Sequence, residues 1–434
     1  MVQATTPAED AENQAALRKA VVASFIGNFV EWFDYGSYAY LAATIGIVFF
    51  NADDPATGLL GAFAVFAVSF VVRPIGGIIW GHYGDKIGRK EALSASILIM
   101  SGSTFCIGLI PSYVSIGIWA PILLFVFRLV QGFSAAGEYA GAAAFIAEYA
   151  PDKKRGFYTA AVPASTAAGL LFGSLMVALL TGLLSHESLI SWGWRIPFLL
   201  AAPLGLIGLY IRLHLEDTPK FLEMAEKHEV VKAPFMNTLV TQRKAILIAF
   251  GVTCLNAVGF YTVLSYMPTY LSTQFGLSET HSFVATTFAL LAYIGMIFFM
   301  GRLSDAMGRK RMLITAGFLF LFLTIPLFHA YNYVGFVGII LIQIAFGAML
   351  AMNDGTLATF LSEIFPTDVR YTGFAFSFNT ANALFGGTTP AIAVWLISVT
   401  GNQLAPGWVL MGAAVVALIA MFASTETAGE PLKD

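Results

Sequence analysis

Apolar residues fall in twelve long, nearly unbroken runs, near 21–49, 58–80, 91–112, 117–141, 157–184, 193–213, 245–272, 281–301, 311–331, 334–360, 371–398 and 406–424. Each run is close to the roughly 20 residues that a helix needs to cross the hydrocarbon core of a bilayer. The runs are continuous and do not alternate with polar positions, so they predict helices and not the strands of a barrel. The first is long enough to tilt or to extend past the membrane. Polar positions gather between the runs.

The runs form two sets of six. The decapeptide Gly81–Lys90 (GHYGDKIGRK) returns 220 residues later as Gly301–Lys310 (GRLSDAMGRK), with Gly, Asp, Gly, Arg and Lys at matching offsets. Glu148–Arg155 (EYAPDKKR) returns 215 residues on as Glu363–Arg370 (EIFPTDVR), keeping Glu, Pro and Arg in register. Two landmarks at nearly one spacing mark a duplication, and a very apolar, internally repeated chain is the pattern of a secondary transporter. The expectation is an all-α integral membrane protein of twelve transmembrane helices in two pseudo-symmetric six-helix halves, 21–213 and 245–424. A segment 1–20, a linker 214–244 and a tail 425–434 would complete it, all cytoplasmic.

Composition agrees. The chain is 58% hydrophobic and 11% charged, against roughly 25% charged residues in an average soluble domain. Of its 23 Lys and Arg, all but Arg73, Arg128 and Arg195 lie in the terminal segments or at the connections after runs 2, 4, 6, 8 and 10. That asymmetry places both termini in the cytoplasm, and the expected setting is a bacterial inner membrane. Because the basic residues follow topology, the net charge of −3 points to no nucleic-acid partner. Residues 1–17 carry Glu9, Asp10 and Glu12 with no basic residue, unlike a cleaved signal peptide. The linker mixes Glu216, Asp217, Glu223, Glu226 and Glu229 with Lys220, Lys227, Lys232, Arg243 and Lys244 and reads as solvated and partly helical. Cys106 and Cys254 lie in runs and read as small apolar fillers. The six histidines show no ligand spacing, and neither a nucleophile triad nor a phosphate-binding glycine loop is present. No cofactor, metal or enzymatic activity is expected, and coupling energy would come from an ion gradient.

Polar groups inside apolar helices are costly and so are functional candidates. On run 1, Asn28, Glu31, Asp34 and Tyr35 share a helical face, with Trp32 and Phe33 beside the two acids. An acid in low dielectric is a candidate reversible proton carrier; either acid could instead pair with a cation of the bundle. Run 4 aligns Arg128, Gln131 and Glu138. Ten residues separate Arg128 from Glu138, roughly 15 Å along a helix, so each needs a counter-charge from elsewhere, in a proton path or in a structural network. Arg73, beside Pro74, could bind a substrate carboxylate bidentately or pair with Glu31 or Asp34. Run 7 carries an aromatic face of Phe260, Tyr261, Tyr266 and Tyr270 interrupted by Pro268. With Trp32 it could box a quaternary ammonium, or it could be packing; Tyr270 reads as an interfacial anchor. In the repeated loops, Asp85 and Asp305 sit in turns bounded by glycine, with Arg89 and Arg309 four residues on. Such pairs can bridge to a neighbouring helix terminus, where the dipole favours the acid.

The loop Gly81–Lys90, its repeat and Arg128–Phe133 (RLVQGF) resemble the major facilitator superfamily. Gly27–Tyr35 (GNFVEWFDY), Arg73–Gly77 (RPIGG) and Trp192–Phe198 (WGWRIPF) narrow the resemblance to its metabolite:proton symporters, over runs 1 to 12. Ser103–Tyr113, Ile116–Phe125, Ala147–Phe157, Ala202–Leu213 and the tail from Glu426 are similar to the branch that carries proline and glycine betaine. The resemblance implies the major facilitator fold, working as a monomer, and a latch at the cytoplasmic side formed by Asp85, Arg89, Asp305 and Arg309. Glu148, Pro151 and Arg155 and the repeats Glu363, Pro366 and Arg370 would serve the same closure.

The chain departs from that branch in places. Asp354 in run 10, between Asn353 and Gly355, is an additional acid that favours a zwitterionic or cationic substrate and also fits a second proton site. Ala160–Ala167 (AAVPASTA) replaces an acidic, aromatic segment, and Phe385–Ile392 (FGGTTPAI) is closer to the citrate and oxoglutarate branch. The tail lacks a coiled-coil extension, so osmotic regulation by that route is not expected. Proton-coupling acids would be Glu31, Asp34, Glu138 and Asp354. Substrate would meet Asn28, Trp32, Tyr35, Arg73, Arg128, Gln131, Tyr261 and Tyr266. The expected function is import of a small zwitterion, proline or glycine betaine, with protons. The alternatives are an organic-acid symporter with Arg73 and Arg128 as anion ligands, and a nutrient receptor on a transporter fold.

Overall fold

A computed structural model describes residues 7–50, 55–226 and 234–433. Eleven of its helices are long and apolar enough to cross a membrane by length and composition. In chain order, with the first helix included, the bundle comprises α1 (Pro7–Tyr40), α2 (Thr57–Lys86), α3 (Arg89–Leu109), α4 (Trp119–Tyr149), α5 (Asp152–Leu183) and α6 (His186–Leu213). The second half comprises α7 (Arg243–Phe275), α8 (Thr280–Met307), α9 (Arg309–Ala330), α10 (Phe336–Ile364), α11 (Arg370–Thr400) and α12 (Ala405–Phe422). The bundle is thus the expected twelve helices in two sets of six.

The helices outrun the apolar stretches that predict them, mostly at the end where the basic connections lie. Hydropathy marks only the part of a helix that meets hydrocarbon, whereas backbone hydrogen bonding continues through polar turns. α1 therefore starts among polar helix formers at Pro7. It ends at Tyr40, and a separate short helix, Ala42–Phe49, follows the break at Leu41. Asp85 and Asp305 likewise belong to the last turns of α2 and α8 and not to the connecting turns. The turns themselves are made by Gly88 and Gly308, at φ 122° and 102°, backbone that glycine reaches without steric cost.

Three prolines shape the middle of the bundle. Proline lacks an N–H and its ring collides with the carbonyl four residues earlier. Pro74 accompanies a break in α2 at Val72, just before Arg73. Pro268 follows a π-helical segment, Tyr261–Tyr266, in α7, and Pro390 follows another, Asn382–Gly386, in α11. Beside these irregular turns, Arg73, Tyr261 and Asn382 line a cavity between the halves, whereas Val71, Leu384 and Phe385 stay exposed. Large apolar residues such as Val71, Leu247, Phe322, Val337 and Ile419 stand exposed on outward faces, as helices in lipid require.

Beyond α6, the segment expected to be solvated is partly buried: Asp217, Thr218 and Phe221 are covered. Two short helices follow, Pro219–Glu226 and Pro234–Thr241. Lys227, Glu229 and Lys232 lie outside the described residues. Arg195, the basic residue expected at the opposite end, donates to Gly108 O at 2.6 Å and Ile110 O at 2.9 Å, capping the C-terminus of α3.

Candidate functional site

A narrow cavity lies between the halves. The first half lines it with Glu31, Trp32, Arg73, Tyr139, Pro163 and Thr166, from α1, α2, α4 and α5. The second half lines it with Asn256, Phe260, Tyr261, Tyr293, Asp354, Phe378 and Asn382, from α7, α8, α10 and α11. Corresponding helices of the two repeats thus supply the two walls. Trp32 meets Phe260 across the interface with ring centroids 5.2 Å apart, and Phe70 meets Tyr261 at 5.7 Å. Gly386 and Gly387 of α11 let these rings pack on its backbone: a Cβ there would come within 2.7 Å of the Tyr261 ring and 3.2 Å of the Phe70 ring.

The two acids of α1 face different arginines. Arg73 Nη2 donates to Glu31 Oε1 at 2.8 Å, and Arg128 Nη1 donates to Asp34 Oδ2 at 2.7 Å. Both guanidinium groups also lie over aromatic rings, Arg73 on Phe70 at 4.8 Å and Tyr35 at 4.9 Å, Arg128 on Tyr38 at 3.7 Å. Of the two pairs, only Glu31–Arg73 lines the cavity. Five polar atoms on its lining side chains are buried without a hydrogen-bond partner: Glu31 Oε2, Trp32 Nε1, Arg73 Nε, Tyr139 Oη and Tyr261 Oη. Buried polar atoms are normally paired, and four of these five can donate.

Of the other candidates, all but Asp354 sit apart from the cavity lining. Asn28 donates to Val162 O, Ser165 Oγ and Thr166 Oγ1 at 2.8–3.0 Å and ties α1 to α5. Tyr35 Oη donates to Ser69 Oγ at 3.2 Å, and Gln131 Nε2 to Thr104 Oγ1 at 2.5 Å. Tyr266 packs on Tyr270. Tyr270 is no interfacial anchor: it is fully buried against Phe328 and donates to Gln403 O at 2.9 Å. Glu138 is held away from the cavity by Arg212 of α6, which reaches both its oxygens, and by Ser96 Oγ at 3.1 Å. Charge counting groups Arg212 with the basic connections, which hides this buried partner. Asp354 accepts from Asn256 Nδ2 and Asn353 Nδ2 on Oδ1, both at 2.9 Å, and from Tyr293 Oη on Oδ2 at 2.8 Å. Among the described residues it makes no ion pair.

At the basic end the halves are bolted together with two-fold regularity. Asp85 accepts from the backbone N–H groups of Tyr371 and Thr372, at 3.1 and 2.8 Å, in the first turn of α11. Asp305 accepts from Gly156 and Phe157, at 2.8 and 2.9 Å, in the first turns of α5. Each acid thus sits on the positive end of a helix from the other half. Arg370 Nη1 lies 2.7 Å from Glu148, and Arg155 Nη1 lies 2.8 Å from Glu363. Arg89 and Arg309 add pairs within each half, to Asp85 at 3.1 Å and Glu148 at 3.3 Å, and to Asp305 at 2.8 Å and Glu363 at 3.1 Å. The hydroxyls of Thr159 and Thr359 meet at the centre.

Four further members follow α6 and α12. Asp217 accepts from the N–H groups of Arg89 and Lys90, as Glu426 accepts from those of Arg309 and Lys310. Thr218 Oγ1 donates to Glu148, as Thr427 Oγ1 donates to Glu363. The acid–threonine pairs recur 209 residues apart, close to the spacing of the other repeats, and that was the available signal. Burial pushes the Asp217 carboxyl up to about 7; the Thr218 N–H and Arg89 oppose this and Glu91 adds to it.

The sequence matches the Major Facilitator Superfamily model over residues 24–387 and 249–433. It is 42% identical to a glycine betaine/proline/ectoine/pipecolic acid transporter of Dickeya dadantii, over 96% of this chain and 85% of that one. Identity to a proline/betaine transporter of Escherichia coli is 41% with the same coverage. The proton:xylose symporter XylE bound to 6-bromo-6-deoxy-D-glucose superposes with a TM-score of 0.82 at 19% identity, covering 97% of this chain and 98% of that one. By repeat, by bundle and by similarity, the chain belongs to the Major Facilitator Superfamily.

Proposed function

We propose that the chain is a proton-coupled symporter that imports a small zwitterionic compatible solute, proline or glycine betaine, by alternating access between its two halves. The observation that carries the reading is the Glu31–Arg73 pair in the wall of a cavity with unpaired donors. With Glu31 ionised, its carboxylate occupies Arg73. With Glu31 protonated, Arg73 is free for the carboxylate of a substrate, which Trp32 Nε1 and the hydroxyls of Tyr139 and Tyr261 can help to hold. Proton and substrate then bind together, and loss of the proton returns Arg73 to Glu31 and expels the substrate. The rings of Trp32, Phe260 and Tyr261 suit a methylated ammonium. Relatives named as betaine and proline transporters, about 40% identical over nearly the whole chain, support the substrate class.

In this reading the basic end faces the cytoplasm of a bacterial inner membrane, with both termini there. Residues 21–213 and 245–424 are the moving halves, joined by the linker 214–244, and one copy suffices for transport. The network around Glu148 and Glu363 is the cytoplasmic gate, closed in this conformation. Uptake into proteoliposomes under an inward proton gradient tests the function, with labelled glycine betaine and citrate compared. Betaine accumulation abolished by a protonophore is expected. Citrate uptake alone would replace the reading with organic-acid transport.

A further inference from the structure

We propose that Asp354 is the cation-binding pole of the cavity, receiving the ammonium of a substrate whose carboxylate Arg73 holds from the opposite half. This deepens the zwitterion reading and rests on it. Asp354 is 1% exposed, lines the cavity, and makes no ion pair among the described residues. Its three hydrogen bonds come from neutral donors: Asn256 and Asn353 on Oδ1, Tyr293 on Oδ2. Those bonds orient the carboxylate and leave its charge uncompensated. A carboxylate offers about four acceptor sites, so three donors leave room for one more. Buried charges are normally paired, and the other cavity acid, Glu31, already has Arg73.

The two charged groups line the same cavity from different halves. From Arg73 the contacts run to the Trp32 ring at 6.0 Å, from Trp32 to Phe260 at 5.2 Å, and from Phe260 to Tyr293 at 6.5 Å. Tyr293 donates to Asp354. Opposite charges therefore stand on opposite halves, linked by the rings of Trp32, Phe260 and Tyr293. A zwitterion bridges the halves and draws them together. A carboxylate without a cation leaves Asp354 buried and unpaired, and a dicarboxylate also meets its repulsion. An N–H-bearing ammonium fills the free acceptor site; a methylated one relies on the Phe260 face and the charge alone.

Calorimetric binding to the purified full chain tests this, using proline, glycine betaine and tetrahydrofuran-2-carboxylate, which replaces proline's ring nitrogen by oxygen. The wild type should prefer proline to the oxygen analogue by about a hundredfold, and Asp354→Asn should reduce that preference to less than about tenfold. Thermal unfolding of unliganded protein checks the fold. An undiminished preference in folded Asp354→Asn, with proton-driven accumulation lost, would overturn the proposal and make Asp354 a proton carrier. Should that variant not fold, Tyr293→Phe removes one orienting donor: a selective loss of proline affinity supports the proposal, and equal loss for both ligands overturns it. A wild type that binds citrate but neither zwitterion would instead overturn the functional reading, and the proposal with it.

Discussion

Glu148 and Glu363 hold equivalent places in the two halves, and each carboxylate is shared between an arginine of its own half and one of the other. Arg89 and Arg370 meet on Glu148, Arg309 and Arg155 on Glu363. All six side chains are buried. Such a cluster is stable only while every charge has its partner, so it has two states: assembled, with the basic end shut, or dispersed into water. That cooperativity is what a gate needs.

Replacing Glu363 by Gln removes the acid that Arg155 and Arg309 share, leaving Arg155 with Asp152 and Arg309 with Asp305, and should favour the open basic end. A cysteine at Thr159, in a background without Cys106 and Cys254, reports this through alkylation. Labelling should quicken by about tenfold or more, since removing one partner of a buried ion pair costs about 3–5 kcal/mol and the remaining acids offset only part of it. Labelling at the wild-type rate would remove Glu363 from the gate.

The Glu138–Arg212 pair lies away from the cavity and is read as a brace between α4 and α6. Glu138→Gln and Arg212→Gln should each lower thermal stability strongly, by about 3–5 kcal/mol, and the double variant should lose less than their sum. Substrate exchange by the folded double variant should continue. Additive losses would show that the two side chains do not act as a pair.

We propose that opening of the basic end solvates Asp217, which would make the proposed gate sensitive to pH. Burial, with Glu91 beside it, pushes its carboxyl up to about 7, against about 3.9 for a solvated aspartate. A raised acid pKa means that the closed state binds the proton more tightly, so its stability is greatest in acid and falls as pH rises through this window. Above about pH 7 the dependence ends. Raising pH from 6 to 8 should lower the closed population relative to the open one by at most about tenfold. Asp217→Asn should flatten the response, measured with the same cysteine. A response that survives this change belongs to another group.

The twelve helices were legible because lipid imposes one rule on every span, and the duplication was legible because both loop motifs kept their glycines and charges. Pairings were not. Glu31 and Asp34 lie three residues apart with two buried arginines nearby, and sequence alone leaves Arg73 free to choose between them. In the structure Arg73 takes Glu31 at the cavity and Arg128 takes Asp34. Tyr35, Gln131 and Tyr266 share helical faces with lining residues, yet small rotations about the axis turn them into packing. Thr218 and Thr427 escaped notice because a threonine hydroxyl carries no signal until its carboxylate partner is known.

Glu31 and Asp34 should behave differently when neutralised, because only the first shares its arginine with the cavity. Glu31→Gln leaves Arg73 available at every pH. Substrate affinity should then lose its pH dependence, which in the wild type favours binding at low pH, and exchange should persist while proton-driven accumulation fails. Asp34→Asn instead leaves Arg128 buried without its acid, against the Tyr38 ring. It should lower thermal stability by about 3 kcal/mol or more, while the affinity of the folded fraction keeps its pH dependence. Binding titrations from pH 5 to 9, with counterflow and gradient-driven uptake on the same proteoliposomes, separate the two. If Asp34→Asn flattens the pH profile and Glu31→Gln does not, the coupling proton rides on Asp34 and Arg128 becomes the arginine that substrate binding must release.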